Sequence, residues 1–406
     1  MDAVSKRFLA LDALAKDMEE IDPRIPDRVI HKGHTILLIA LAGVFAKCQT
    51  WNEIADYGMM KLPLLQKFIP DLSVTPSHDT FRRFFSIIDP LKLEELYRNW
   101  AKKMQINLST KPGKRHIAID GKRLRSAAGL KAVLNWSVDT LSLSEAEKVN
   151  VHMVSAYDVT NQLALAQERV PDKTNEITAD KTLLTTLDLY EGDLITMDAM
   201  GTQKENVRLI REKGADYLLE VKENQKSLYK AVVAAVHANM AKGLKFRNDQ
   251  QEEIDEKGHG FIVVRECYSV EEKYMLGGEQ RHWIDLKTFG LIKTTRIRKT
   301  TGDRSTTSHY FISSLGKDAN ALLRYKRAHW GIENGLHRTL DVEFKEDSSQ
   351  KKMTAAVNYS LITKMVMAIL KNNTKKLPLN RKRMAAGWDD NYMKELLELF
   401  IYTYKT

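Results

Sequence analysis

The sequence predicts an α/β fold in which a mixed sheet flanked by helices follows an all-helical region and is interrupted by a β-rich insertion. Three observations lead to this fold class. Residues 1–105 have helical periodicity and few strand signals. Short strands alternate with helices from residue 111 onwards. Residues 223–312 are rich in the β-branched and aromatic residues that strands favour.

The first 105 residues predict several helices, with breaks at IDPRIPD, KLPLL, IPDLSVTPS and IDP. Ser77 is a candidate cap for a helix over HDTFRRFFSII, which would expose Arg82 and Arg83. This helix is a candidate for DNA contact in a helix-turn-helix arrangement. An ordinary packed helix with two solvated arginines explains the same pattern equally well.

Residues 111–222 predict a meander of three strands followed by two helix-and-strand units, in the order βββαβαβ. In the ribonuclease H-like arrangement of such a sheet, the first and fourth strands are neighbours. Asp120 ends the first strand, HIAID, and Asp198 ends the fourth, LITMD. We therefore expect these two carboxylates to lie together, although they are far apart in sequence.

The insertion at residues 223–312 is expected to contain a helix followed by strands, and helicity resumes near residue 318. Residues 313–372 then complete the core, and residues 373–406 are expected to form a basic C-terminal tail. The helix after residue 318 can turn an acidic residue towards the sheet, because residues four apart drift only slowly along one helix face. The residues with this spacing are Tyr325, His329, Glu333, His337 and Asp341.

Charge favours a polyanionic partner. Lys and Arg number 63 against 53 Asp and Glu, which gives a net charge of +10. A soluble protein that happens to be basic is the alternative that composition leaves open. The charge is also local: one cluster surrounds Asp120, which suits a phosphate substrate, and a second lies near the end of the sequence. The clusters comprise Lys111, Lys114, Arg115, Lys122, Arg123 and Arg125, and Lys371, Lys375, Lys376, Arg381, Lys382 and Arg383.

Cysteine usage and hydropathy favour a cytoplasmic protein without a membrane partner. Cys48 and Cys267 are far apart in sequence, so no disulfide framework is expected. The longest apolar run, ILLIALAGVFA at residues 36–46, is well short of the roughly 20 residues that a membrane span needs. The first residues show no signal-peptide cleavage pattern.

Asp120, Asp198 and Glu333 are the candidate catalytic and metal-binding residues. Mg²⁺, with Mn²⁺ as an alternative, takes carboxylate oxygens, and two such ions can clamp the attacking and leaving oxygens of a phosphodiester. Gly121 and Ala199 follow the two aspartates and would leave room for a ligand. Each acidic residue alone has a simpler explanation, a turn cap for an aspartate or a surface ion pair for the glutamate.

Further residues are candidates for contact with DNA or phosphate. Trp283 would stack on an unpaired base, although a core position is the commoner role of such a tryptophan. The full set comprises Lys122, Arg123, His329, His337, Arg82, Arg83 and Trp283. His259 is either catalytic or part of a turn. The rivals of Glu333 for the third acidic role are ranked second, because they follow the better helical register, and they are Glu343, Glu346 and Asp347.

The chain resembles the DDE transposases of bacterial insertion sequences, in particular the H-repeat-associated group. The resemblance rests on AIDGKRLR, HMVSAYD, DKTNEITA, TMDAMGTQKE, DYLLEVKENQ, an HG followed later by Arg265, HYFISS and HWGIENGLHRTLDVEFKED, in that order. It implies a ribonuclease H-like core whose DDE residues are Asp120, Asp198 and Glu333. It further implies Mg²⁺, transposon-end and target DNA as substrates, and a helical associated domain. A homodimer in the DNA complex is an arrangement that the resemblance leaves open.

The chain departs from the wider insertion-sequence pattern around Glu333. His329 stands at the usual arginine position, Leu340 stands at the usual lysine position, and Tyr325 is one residue out of register. The connection at residues 126–150 is also longer than usual. Two alternatives remain open at this point: a ribonuclease H-like nuclease that cuts without joining, and a domesticated, non-catalytic DNA-binding protein.

Overall fold

The computed structural model describes residues 3–108, 115–130, 148–170, 176–241, 249–255, 260–271 and 273–404. Its first part is all-helical, as predicted. The six helices are α1 (Ala3–Ile21), α2 (Gly33–Phe45), α3 (Trp51–Met60), α4 (Leu62–Leu65), α5 (His78–Ile87) and α6 (Pro90–Asn107). Ser77 caps α5 as expected, because its side chain accepts a hydrogen bond from the backbone N–H of Thr80.

A nine-stranded sheet follows the helical region, with strand order β3-β2-β1-β4-β5-β9-β8-β7-β6. Its first half contains the predicted meander and crossovers: β1 (His116–Leu130), β2 (Lys148–Asp158), β3 (Leu163–Val170), α7 (Glu176–Thr186), β4 (Leu194–Met197), α8 (Lys204–Glu212) and β5 (Asp216–Val221). β1 pairs antiparallel with β2 and parallel with β4. The first and fourth strands are therefore neighbours, and the ribonuclease H-like fold class is confirmed.

The insertion extends this sheet. It comprises α9 (Lys226–Ala241), β6 (Asp249–Asp255), β7 (Phe261–Val270), β8 (Thr288–Arg298) and β9 (Arg304–Ser313). β9 pairs antiparallel with β5, so the insertion strands continue the sheet without a break. Phe311 and Ile292 contact the next helix, α10 (Ala319–His329), on one face. α9 packs against β8 and β9 on the other.

The last part of the described chain is helical and returns to the N-terminal region. It contains a π-helical turn (Ile332–His337), α11 (Arg338–Glu343), α12 (Met353–Asn372), α13 (Leu379–Trp388) and α14 (Asp390–Thr403). α12 packs against α2, α5 and α6, and α14 packs against α1, α2 and α6. α12 is long and apolar enough to cross a membrane, but 89% of its apolar window is buried inside the protein.

The region predicted as a basic tail differs from that expectation, because α13 and α14 occupy it. Lys382 and Arg383 are buried. The ammonium of Lys382 donates to the carbonyl oxygens of Leu370 and Asn373, at 2.6 and 2.8 Å. The guanidinium of Arg383 donates to the carbonyl oxygen of Val44 at 2.8 Å. These two cations therefore join helices and do not face a polyanion.

Candidate active site

The fold brings two aspartates to the same edge of the sheet. Ile119 of β1 is in register with Met197, the last residue of β4, so Asp120 and Asp198 come next and lie side by side. Asp198 directly follows β4, whereas Asp120 lies within β1, which continues to Leu130 and does not end at Asp120 as the sequence predicted. The carboxylate of Asp198 accepts hydrogen bonds from the backbone N–H groups of Met200 and Gly201, at 2.9 and 3.2 Å. These bonds fix the orientation of Asp198 in the turn that follows β4.

Glu333 is exposed and lies in the π-helical turn. The negative charge of Glu333 acts on the carboxyl group of Asp120. The pKa of Asp120 rises to about 7, chiefly because the carboxyl is buried, and then because the charges of Asp198, Glu333 and Glu176 disfavour its ionisation. The acidic trio predicted from sequence thus lies within one electrostatic environment.

The structure adds Glu176 and Asp180, two acidic residues of α7 that the sequence analysis did not select. Burial raises the pKa of Asp180 to about 8, and the charges of Asp198, Glu176 and Asp120 add to the rise. A usable signal was present in the sequence. Glu176 belongs to the motif DKTNEITA and Asp180 follows four residues later, so both carboxyls lie on one face of α7.

Gly121 has a different role from the one expected. A methyl group at this position would lie 2.5 Å from Oε1 of Glu176 and 2.6 Å from Nε2 of His152. The space that was expected to admit a ligand is therefore filled by these two side chains, which lie beside Asp120. The absence of a side chain at Gly121 lets Glu176 approach the acidic site.

We predict that Gly121→Ala impairs activity more than stability. The added methyl group would push the Glu176 carboxylate and the His152 ring away from Asp120. Glu176 is a flexible side chain that can move. The free energy of unfolding should therefore fall by only about 1–3 kcal/mol, as is usual for overpacking. The DNA cleavage that the resemblance implies should fall tenfold or more. Both quantities can be measured by chemical denaturation and by a nicking assay.

Gly387→Ala is the matched control for this change. A methyl group on Gly387 of α13 would meet its neighbours at an ordinary 3.6 Å. We expect this variant to retain both activity and stability. Wild-type activity in Gly121→Ala would show that Glu176 and His152 can shift without consequence.

The two histidines on the helix of Glu333 differ in their surroundings. His337 lies beside the acidic site, with Nδ1 3.6 Å from Oδ2 of Asp120. Burial lowers the pKa of His337 to about 3, so the ring is neutral. His329 is buried, and its Nδ1 lies 2.9 Å from Oγ1 of Thr196. A phosphate contact by His329 does not fit this position, because the ring packs inside the protein.

Lys122 contacts carboxylates of its own chain. Its ammonium bonds to Asp341 and, at 2.7 Å, to Glu346. Glu346 also accepts a hydrogen bond from Ser360 at 2.9 Å. Glu346 is thus a counterion of Lys122, which explains its burial and weakens it as a rival of Glu333. Arg123, the other predicted phosphate contact of this strand, is exposed.

The remaining predicted contacts lie away from the acidic site. Trp283 is 2% exposed, so no face of its ring is open to a base, and the predicted stacking does not fit its position. Arg82 and Arg83 are exposed on α5, beside Asp79. His259 lies outside the described residues, as do residues 131–147 of the long connection after β1.

The fold and the site together define a ribonuclease H-like domain with acidic residues on two neighbouring strands and a following helix. Residues 111–370 match the family described as transposase DDE domain, and residues 18–101 match its associated helical family, described as DDE_Tnp_1-associated. The chain belongs to this transposase DDE family.

Relatives of similar length match nearly the whole chain. The H repeat-associated protein YhhI of Escherichia coli K12 is 32% identical over 95% of this chain and 98% of its own length. The protein YncI of Escherichia coli O157:H7 is 34% identical over 93% of this chain and 92% of its own length. The piggyBac transposase in a synaptic complex with hairpin DNA is 11% identical, with a TM-score of 0.39, over 96% of this chain and 81% of that one.

Proposed function

We propose that this protein is a transposase that cleaves transposon-end DNA and transfers the cut strand to target DNA, with divalent metal ions. The family supports the class of enzyme. The observation that carries the chemistry is the register of β1 and β4, which brings Asp120 and Asp198 side by side, with the charge of Glu333 also acting on Asp120. Neighbouring negative charges that raise the pKa of Asp120 favour the binding of a cation.

The donor set fits Mg²⁺, and Mn²⁺ is an alternative. Among the described residues, no three His, Cys, Asp or Glu side chains are already arranged around one point as a metal cage. Mg²⁺ does not require such a cage, because it commonly binds one or two carboxylates together with waters and substrate phosphates. The residues that would hold the ions are Asp120, Asp198 and Glu333.

The residues of the chain have distinct tasks in this mechanism. Two bound ions would stabilise the attacking and leaving oxygens of the scissile phosphodiester. Asp120, Asp198 and Glu333 would hold the ions, and the backbone N–H groups after Asp198 keep that carboxylate oriented. In cleavage, water attacks the scissile phosphorus in line and the P–O bond to the 3′-oxygen breaks, which leaves a 3′-hydroxyl. In joining, that 3′-hydroxyl attacks a target phosphodiester in line and displaces the target 3′-oxygen, so no covalent bond to the protein is formed. The neutral ring of His337 packs beside Asp120.

A strand-joining assay tests the proposed function against its alternatives. The protein is incubated in Mg²⁺ with labelled duplex that carries the inverted repeats flanking its gene, together with plasmid target. We expect labelled strands to become joined to the plasmid. Cut but unjoined ends would identify a nuclease. Bound but uncut ends would identify a non-catalytic DNA-binding protein.

End recognition is expected to involve α5. Arg82 and Arg83 are exposed there, so removing their charges should not disturb the core. We predict that Arg82→Ala with Arg83→Ala weakens binding to the element's ends roughly tenfold or more, since contacts to phosphates or bases are lost. Arg28→Ala is a suitable control, because Arg28 is also an exposed arginine of the helical region. Unchanged end binding by the double variant would assign recognition to another surface.

A further inference from the structure

A cavity of about 330 Å³ lies between the helical region and the start of α12, and neither the catalytic chemistry nor the family resemblance accounts for it. Its walls combine cations with an aromatic ring and polar groups. The residues that matter here are Gln49, Trp51, Arg82, Ser86, Lys351 and Lys352. Arg82 and Lys352 are exposed, whereas Lys351 is only 5% exposed.

Lys351 is an unusual residue for such a wall, because a buried ammonium normally pairs with a carboxylate. Its Nζ donates to the carbonyl oxygen of Gln49, and no salt bridge to it is found in the described parts of the chain. It lies 4.6 Å from the ring centre of Trp51 and 3.6 Å from that of Tyr359. These rings hold the ammonium at the cavity without neutralising its charge.

Charge around the cavity is unbalanced in favour of cations. Burial lowers the pKa of Lys351 to about 7 and the charge of Glu53 opposes this shift, so an anion bound beside the ammonium would favour its charged form. Asp79 forms salt bridges with both Arg82 and Arg83, so its one negative charge faces two positive charges. α12 also begins here, and its N-cap residue Lys352 supplies no side-chain cap. The first amides of a long helix favour an anion, so the helix adds to the cations of the wall.

The cavity is within reach of DNA bound at the acidic site. Lys122, two residues after Asp120, bonds to Glu346, which precedes Lys351 by five residues. Chain lengths of about 3.5 Å per residue limit the path from Asp120 to Lys351 to roughly 35 Å. The cavity therefore lies no more than about one helical turn of duplex DNA from the acidic site.

We propose that this cavity binds a phosphate of the DNA backbone, no more than about one turn from the scissile bond, through Lys351, Lys352 and Arg82. This inference rests on the proposed function, because it assumes that the substrate is duplex DNA. It adds a phosphate-binding site at the junction of the helical region and α12. The phosphate would supply the counterion that Lys351 lacks within the described chain.

The test is the salt dependence of binding to a 30-base-pair duplex of random sequence. Lys351→Met removes the charge but keeps an unbranched apolar side chain between Trp51 and Tyr359. We expect binding at physiological salt to weaken about tenfold, and the slope of log K against log salt to fall by about 0.9 for each lost phosphate contact. The unfolding midpoint should stay the same or rise, because a buried ammonium is removed.

Lys67→Met is the matched control, since Lys67 is an exposed lysine of the helical region that does not line the cavity and belongs to neither basic cluster. If Lys351→Met and Lys67→Met bind with the same affinity and slope, the cavity proposal is wrong and the proposed function stands. If the wild-type protein fails to bind duplex DNA, the proposed function and this inference are both wrong. Should Lys351→Met fail to fold, the surface variant Arg82→Gln with Lys352→Gln decides by the same two measurements.

Discussion

Alanine replacements of Asp120, Asp198 and Glu333, made singly, are expected to abolish DNA cleavage and strand transfer while leaving folding and DNA binding intact. Asp120 and Asp198 are partly exposed and Glu333 is exposed, so little core volume is lost. Each change removes an oxygen ligand from the proposed metal site, where bound ions would lower the barrier by several kcal/mol. Since about 1.4 kcal/mol corresponds to tenfold in rate, a fall of roughly 10³-fold or more is expected.

The measurement is cleavage of end-bearing duplex in Mg²⁺, with binding followed in parallel in the absence of the metal. Glu343→Ala is the matched control, because Glu343 is a partly exposed glutamate that follows Glu333 on the same helical segment. Glu346→Ala is less suitable, because it would leave Lys122 without a counterion. Activity retained in Glu333→Ala and lost in Glu343→Ala would move the third acidic role downstream.

The largest loss of stability is expected on breaking the ion pair of Arg115 and Asp193. Arg115 is 4% exposed and Asp193 is fully buried. The Nε atom of Arg115 lies 3.1 Å from both carboxylate oxygens of Asp193, and its Nη2 donates to the carbonyl oxygen of Asp188 at 2.7 Å. Asp193→Ala would leave a buried guanidinium unpaired, which typically costs about 3–5 kcal/mol.

Chemical denaturation measures this cost. The paired change Arg115→Met with Asp193→Leu should cost clearly less than the sum of the single changes, because no buried charge is then left alone. Lys102→Met is the control, since Lys102 forms a salt bridge of 2.7 Å with Asp188 in which both side chains are more than half exposed. It should change the unfolding free energy by less than about 1 kcal/mol. Equal effects in Asp193→Ala and Lys102→Met would contradict the argument.

The sheet could be predicted from sequence because the signals for its strands lie within short stretches of the chain. Apolar runs such as HIAID and LITMD mark buried strands, and the order βββαβαβ then makes the first and fourth strands neighbours. The positions of Asp120 and Asp198 follow from this order. The spacing of four residues predicted that Glu333 can face the sheet, and this remains a prediction, because Glu333 lies exposed in a π-helical turn. The contact of His337 with Asp120 was not predicted. The predicted cap at Ser77 needed only a local sequence signal.

The predictions that differ from the structure concern residues whose contacts are distant in sequence. A basic residue looks the same in sequence whether it meets phosphate or a buried carbonyl, and Arg115 and Arg383 proved to have internal partners. Lys122 is satisfied by Glu346, more than two hundred residues away. Burial of Trp283 and the approach of Glu176 to Gly121 likewise depend on how distant elements pack.

The packing of α12 and α14 against the N-terminal helices also constrains the order in which the protein can fold. Apolar residues of α2, such as Ile39 and Phe45, and of α5, such as Phe85, share one core with helices that are synthesised more than 250 residues later. During translation these faces remain uncovered until α12 and α14 have left the ribosome. A nascent chain is therefore expected to depend on chaperones for its first helices and to gain DNA-binding activity only late in synthesis.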